Sequence, residues 1–139
     1  MGIIFVGDIM YMFKRQFCSD KKIATKNIQT MLGFLQKVIS DEMLFYDIKL
    51  IVNELIFNGL EHGNQYDVNK KITFKIELTD EYIRICVKDE GTGINYCSNS
   101  YFNNDIYVRG RGLFIVSKLC DELKIKDNSV EAKLLVKSN

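Results

Sequence analysis

Glu54 and Asn58 lie four residues apart in the segment Asn53-Glu54-Leu55-Ile56-Phe57-Asn58-Gly59-Leu60-Glu61-His62-Gly63-Asn64. On a helix that spacing puts a carboxylate and a carboxamide on one face, one turn apart, and His62 extends the row. Magnesium prefers octahedral oxygen and is usually held by a few protein oxygens plus substrate phosphates. One carboxamide oxygen from Asn58 can complete such a shell, which leaves Glu54 free to take a proton from an attacking hydroxyl or water. By itself the pair also fits the solvated face of an amphipathic helix.

Two later segments supply the rest of a nucleotide pocket. In Asp89-Glu90-Gly91-Thr92-Gly93 an apolar strand ends in a carboxylate followed by glycines. A carboxylate there can accept a hydrogen bond from the exocyclic amine of adenine and repels the oxygen of guanine; sites built on such a bond discriminate by ~10⁴. Gly91 and Gly93 permit positive φ and let the backbone approach a flat base. Gly110-Arg111-Gly112-Leu113 opens a helix whose first N–H groups and dipole can receive phosphate oxygens. Two of the four arginines, Arg109 and Arg111, flank Gly110, and the guanidinium fork suits phosphate. Neither a P-loop nor a strand–GxGxxG–helix unit occurs.

Secondary structure must bring these segments together. Residues 3–17 read as one or two strands, built on Ile3–Val6 and Ile9–Phe13. Ser19 or Asp20 can cap a helix running to about Val38, and Ser40 or Asp41 the next, which Gly59 and Gly63 loosen at its end. Ile72, Phe74, Ile76 and Leu78, then Ile83, Ile85 and Val87, alternate at period two and predict a hairpin over 71–88. Residues 95–108 show no period and read as a loop. Leu113–Leu119 returns to helical spacing, and a last hairpin spans Leu123–Val136 across Asp127-Asn128-Ser129. The pattern predicts an α/β (α+β) two-layer sandwich, helices on one face of a mixed, mainly antiparallel sheet.

With 139 residues, the chain is expected to form one domain, 1–139, with a core that needs no disulfides. A net charge of +1, with scattered lysines, argues against a nucleic-acid partner. Cys18, Cys86, Cys97 and Cys120 form no C-x-x-C pair, and with a single histidine they read as reduced thiols of a cytoplasmic protein, Cys86 and Cys120 serving as small hydrophobes. No apolar run reaches the ~20 residues that span a bilayer.

In this order the three segments resemble the N, G1 and G2 boxes of the histidine-kinase-like (GHKL) ATPase superfamily, over about residues 40–125 and, with the flanking pattern, nearly the whole chain. Size, the N-terminal strand and helix, and Glu54 four before Asn58 most resemble the bacterial anti-sigma-factor serine/threonine kinases. The resemblance implies an ATP-binding fold using ATP and Mg2+. Glu54 would be the general base, Asn58 the magnesium ligand, and Asp89 the adenine contact in a pocket shaped by Gly91 and Gly93. Gly110 and Gly112 would hold phosphates, Leu113 would belong to the same nucleotide-binding segment, Arg109 or Arg111 would meet the γ-phosphate, and His62 would lie near it. It also implies a sigma factor and an anti-anti-sigma antagonist as partners, serine phosphorylation of the antagonist, and homodimer formation. Two features favour an ATP-gated interaction module without transfer: the 93–110 segment is short, and the first helix holds no arginine. A third reading, the catalytic half of a sensor histidine kinase, lacks a preceding helix pair with a phosphoacceptor histidine.

Overall fold

A computed structural model describes residues 9–91 and 111–136. Along the chain run β1 (Ile9–Cys18), α1 (Lys21–Val38), α2 (Glu42–Asn58), a π-helical turn (Gly59–Gly63), β2 (Lys71–Thr79) and β3 (Tyr82–Lys88). From residue 111 onward come α3 (Arg111–Leu119), β4 (Glu122–Lys126) and β5 (Ser129–Leu135). The strands form one sheet in the order β1-β2-β3-β5-β4. Every described pairing is antiparallel, so the two-layer sandwich holds and its described sheet has no parallel pair. The expected strand at Ile3–Val6 and the whole of the expected loop, 95–108, lie outside the described residues; Ile9–Cys18 forms a single strand.

Register explains which face is inside. Phe13, Ile76, Ile85 and Ala132 line up across four strands, all 0% exposed, beneath the helices. One residue along, Met12, Glu77, Arg84 and Lys133 form the opposite row. That outer face is a polar lattice, with Lys75 and Arg84 paired to Glu77 at 2.8 and 3.5 Å, and the Glu77 hydrogen bond raises the Lys75 pKa. Cys86 belongs to this face, 3.5 Å from Ser129 Oγ, and is not the core hydrophobe expected; burial does push the Cys120 thiol up.

The helices start where short polar side chains can satisfy free N–H groups. The Asp20 carboxylate accepts from Ile23 N–H at 3.0 Å, and that of Asp41 from Met43 and Leu44 N–H at 3.0 and 3.1 Å. α1 buries Ala24, Ile28, Met31 and Leu35, while α2 buries Ile48, Ile51, Val52, Leu55 and Ile56. Each such large side chain contributes roughly 1.5–3 kcal/mol by leaving water. α2 packs against α1, α3 and β3, and so its C-terminal end is held at one end of the sheet. Among the described residues no helix is long and apolar enough to cross a membrane.

Asp41 anchors the far end of the helix that carries Glu54 and Asn58. Asp41→Ala is expected to lower unfolding stability by ~1 kcal/mol in urea titration, the usual cost of a lost N-cap. An unchanged midpoint would show that the cap contributes nothing.

Candidate functional site

The site forms where α2 ends. Glu54 and Asn58 both lie inside the regular helix and keep their one-turn relation. Past Asn58 the helix widens: Asn64 N–H donates to Gly59 O, five residues back, at 2.8 Å. Half-buried His62 sits in this wider turn, so the α-helical row is not carried on to it at the expected angle. Gln65 and Tyr66 then reverse the chain in left-handed conformations, at φ 51° and 56°.

Asn58 is 7% exposed, and its Oδ1 is buried without a hydrogen-bond partner among the described residues. Leaving a buried acceptor unpaired costs ~1–3 kcal/mol, so an atom of this kind calls for a ligand. A hard cation that takes oxygen donors fits it. Among the described residues no three His, Cys, Asp or Glu side chains gather around a potential metal, so a cation here would draw its other oxygens from water and a bound ligand.

Asp89 follows β3 and is 7% exposed. Its N–H donates to Asn128 O at 3.0 Å; its Oδ1 accepts from Gly91 N–H at 2.9 Å and from Asn128 Nδ2 at 3.3 Å. Asn128 Nδ2 also donates to Gly91 O. The carboxylate fills the space a side chain would take at residue 63, since a Cβ on Gly63 would stand 2.3 Å from Asp89 Oδ2. At Gly91 a Cβ would lie 2.0 Å from Gly63 O, and at Gly59 it would lie 3.0 Å from Ile72 Cδ1. None of these three glycines has positive φ. Gly91 is thus required for close backbone approach to the helix end, and the positive φ that glycine also permits is not used there.

The start of α3 closes the other side. A Cβ on Gly112 would stand 2.5 Å from Glu54 Oε2, which places the Glu54 carboxylate beside the first turn of that helix. Leu113 is 1% exposed and part of the core with Val116, so its side chain anchors α3 and any contact to a nucleotide would come from its backbone. Gly93, Arg109, Gly110 and the Arg111 side chain lie outside the described residues. Glu54, Asn58, Asp89, Gly91 and Gly112 are therefore brought to one end of the sheet.

The parts that Ser19, Asn64 and Asn128 play here were not read from the sequence, in which Ser19 stood only as an alternative to Asp20, the residue that caps α1. Asn64 was visible as the end of the first segment, but its contacts to Ser19 and Glu90 span 45 and 26 residues and leave no local pattern. Asn128 was visible as a turn residue; only the β3–β5 register, with Lys88 opposite Ser129, puts it beside Asp89. A groove of about 790 Å³ opens at the opposite end of the strands, lined by Val38, Met43, Leu78, Leu135 and several aspartates, and contains none of the site residues.

A helix-on-antiparallel-sheet layer with a carboxylate–carboxamide helix face, an Asp–Gly turn and a glycine-led helix defines a histidine kinase-like ATPase domain. Residues 21–137 match that family, and the chain belongs to it. Among its relatives, an anti-sigma F factor of Shouchella clausii (strain KSM-K16) is 32% identical over 84 residues, 57% of this chain and 58% of the relative. The serine-protein kinase RsbW of Bacillus subtilis (strain 168) is 22% identical over 92 residues, covering 60% and 58%. The sensor protein kinase GraS of Staphylococcus aureus (strain MRSA252) is 24% identical over 131 residues, 84% of this chain but 37% of the relative. The chain thus spans little more than half the length of the first two and about a third of the last.

The two glycine contacts differ in what they meet, and so should their alanine variants. Gly91→Ala drives a methyl into backbone and is expected to cost about 1–3 kcal/mol in urea unfolding. Gly112→Ala meets only the end of a glutamate side chain and should change stability by no more than about 0.5 kcal/mol. Equal losses from both would refute the difference in packing.

Proposed function

We propose that the chain, as a single domain, binds ATP with Mg2+ at this site and transfers its γ-phosphate to a serine of an antagonist protein, in the manner of a cytoplasmic anti-sigma-factor kinase. The observation that carries this reading is the buried, unpartnered Asn58 Oδ1 one helical turn from a carboxylate set beside the first turn of α3. The kinase relatives support the reaction class, and the anti-sigma F factor supports a sigma factor as partner.

In this reading Asp89 accepts a hydrogen bond from the exocyclic amine of adenine, while the tight Gly63–Gly91 contact holds its carboxylate at the end of the sheet. Asn58 would supply one oxygen to the magnesium ion, whose charge offsets that of the phosphates. Glu54 receives the proton of the serine hydroxyl as the new oxygen–phosphorus bond forms and the bond to the ADP oxygen breaks. Gly112, without a side chain, leaves room for that carboxylate beside the N-terminus of α3, where N–H groups and the helix dipole favour phosphate. Gly110, Gly93, Arg109 and Arg111 keep the phosphate and pocket roles that the family resemblance gives them, and His62 a place near the phosphates. Homodimer formation belongs to the same reading.

A second reading has a specific observation in its favour: α1 carries lysines but no arginine, so it offers no guanidinium fork to a transferring phosphate. The chain would then be an ATP-gated interaction module. Incubation with labelled ATP, magnesium and candidate antagonists separates the two. Tight ATP binding without transfer to any antagonist would favour the module.

Glu54→Gln keeps the side-chain shape and removes the base. It is expected to slow transfer by ~10²–10⁴ with ATP affinity nearly unchanged; transfer at the wild-type rate would remove Glu54 from the mechanism. For Asn58→Ala, calorimetry with and without magnesium is the check. The wild type should bind ATP more tightly with the metal, and the variant should lose most of that difference.

A further inference from the structure

The Asp89–Gly91 turn is gripped from two sides. Asn128 holds it from the β4–β5 hairpin, and Asn64 holds it from the end of the π-helical turn. Asn64 is 1% exposed, and its carboxamide is fully engaged: Nδ2 donates to Ser19 Oγ at 2.7 Å and to Lys71 O at 3.0 Å, while Oδ1 accepts from Glu90 N–H at 2.7 Å. Ser19, also 1% exposed, donates its hydroxyl to Lys70 O at 2.6 Å, and its neighbour Asp20 caps α1. Glu90 closes the ring by accepting from Lys71 N–H. One buried carboxamide therefore joins three pieces of chain: the β1–α1 junction, the start of β2 and the residue after Asp89.

We propose that Asn64 is a positioning residue for the adenine half of the site, fixing the Glu90 backbone so that the Asp89 carboxylate meets the exocyclic amine, and tying that geometry through Ser19 to the start of α1. The proposal rests on the ATP-binding reading. It explains why a polar side chain is buried at the end of a helix whose other buried residues are nearly all apolar. Asn is the side chain that can donate twice and accept once in this place. Aspartate would keep the acceptor for Glu90 N–H but turn an oxygen toward Lys71 O.

ATP and inosine triphosphate, which lacks the exocyclic amine, distinguish positioning from general damage. By calorimetry the full chain should bind ATP more tightly than ITP. Asn64→Ala should weaken ATP by about 10-fold, the usual scale of a lost buried hydrogen bond, and ITP by less than about 3-fold. Ser19→Ala leaves Nδ2 its bond to Lys71 O and should give a smaller loss of the same selectivity; it also carries the test if Asn64→Ala does not fold. Equal weakening of both nucleotides, or unchanged ATP affinity, overturns the positioning role. A wild type that binds ATP and ITP equally removes the Asp89 contact and the clamp with it, and a wild type that binds neither removes the ATP reading itself.

Discussion

The site depends on one steric constraint, the contact of the α2 C-terminal turn with the ends of β2 and β3. At Gly59, Gly63 and Gly91 a side chain would strike Ile72, the Asp89 carboxylate and the Gly63 carbonyl respectively. Removing three Cβ atoms lets helix and sheet approach to backbone distance, and the cavity that approach would otherwise leave is filled by Asp89. The carboxylate is thereby positioned by packing as well as by hydrogen bonds. Glycine costs helix stability by about 1 kcal/mol relative to alanine, so a helix end with two glycines is retained against local preference. The widened π-helical turn is the same compromise in backbone form.

Polar groups then do what apolar packing cannot, which is to choose one arrangement among several compact ones. Ser19, Asn64, Glu90 and Asn128 each bridge segments remote in sequence, and Ser19 and Asn64 are almost completely buried. A buried network of this kind specifies its geometry only when every member is satisfied. Asn58 Oδ1, on the same helix end, has no hydrogen-bond partner among the described residues, and neither have Tyr11 Oη and Arg84 Nε elsewhere. An unsatisfied buried acceptor is a local loss of stability, and a cation bound as proposed would reverse it.

Much of the frame was legible because its signals are periodic. Alternation in Ile72–Leu78 and Ile83–Val87, helical spacing in α1, and the short polar caps Asp20 and Asp41 located the elements within a residue or two. The Glu54–Asn58 relation was legible for the same reason. The end of α2 was not. Extending an α-helical period through residues 59–63 put His62 in line with Asn58, whereas the chain widens there to satisfy tertiary contact. Gly91 was read for freedom of φ and for close approach to a base, but the Gly63 carbonyl that it meets was not visible, nor was the core side of Leu113, because a sequence shows residue types but not what lies opposite them. Ser19, Asn64 and Asn128 could have been found only with the sheet register in hand.

The two halves of the site are supported differently. The Asp89 half is built into the sheet: its backbone bonds to Asn128, its side chain packs on Gly63, and Asn64 holds its successor. The Glu54 half depends on how α3 lies along α2, for α3 packs chiefly on that helix and only lightly on β4 and β5. Its anchors are apolar, Leu113 and Val116, and apolar contacts are non-directional. A displacement of α3 along α2 would thus shift the helix N-terminus relative to Glu54 while leaving Asp89 in place. If the site is used as proposed, base recognition would rest on the sheet and phosphate chemistry on the packing of α3, so the two would have separate mechanical supports.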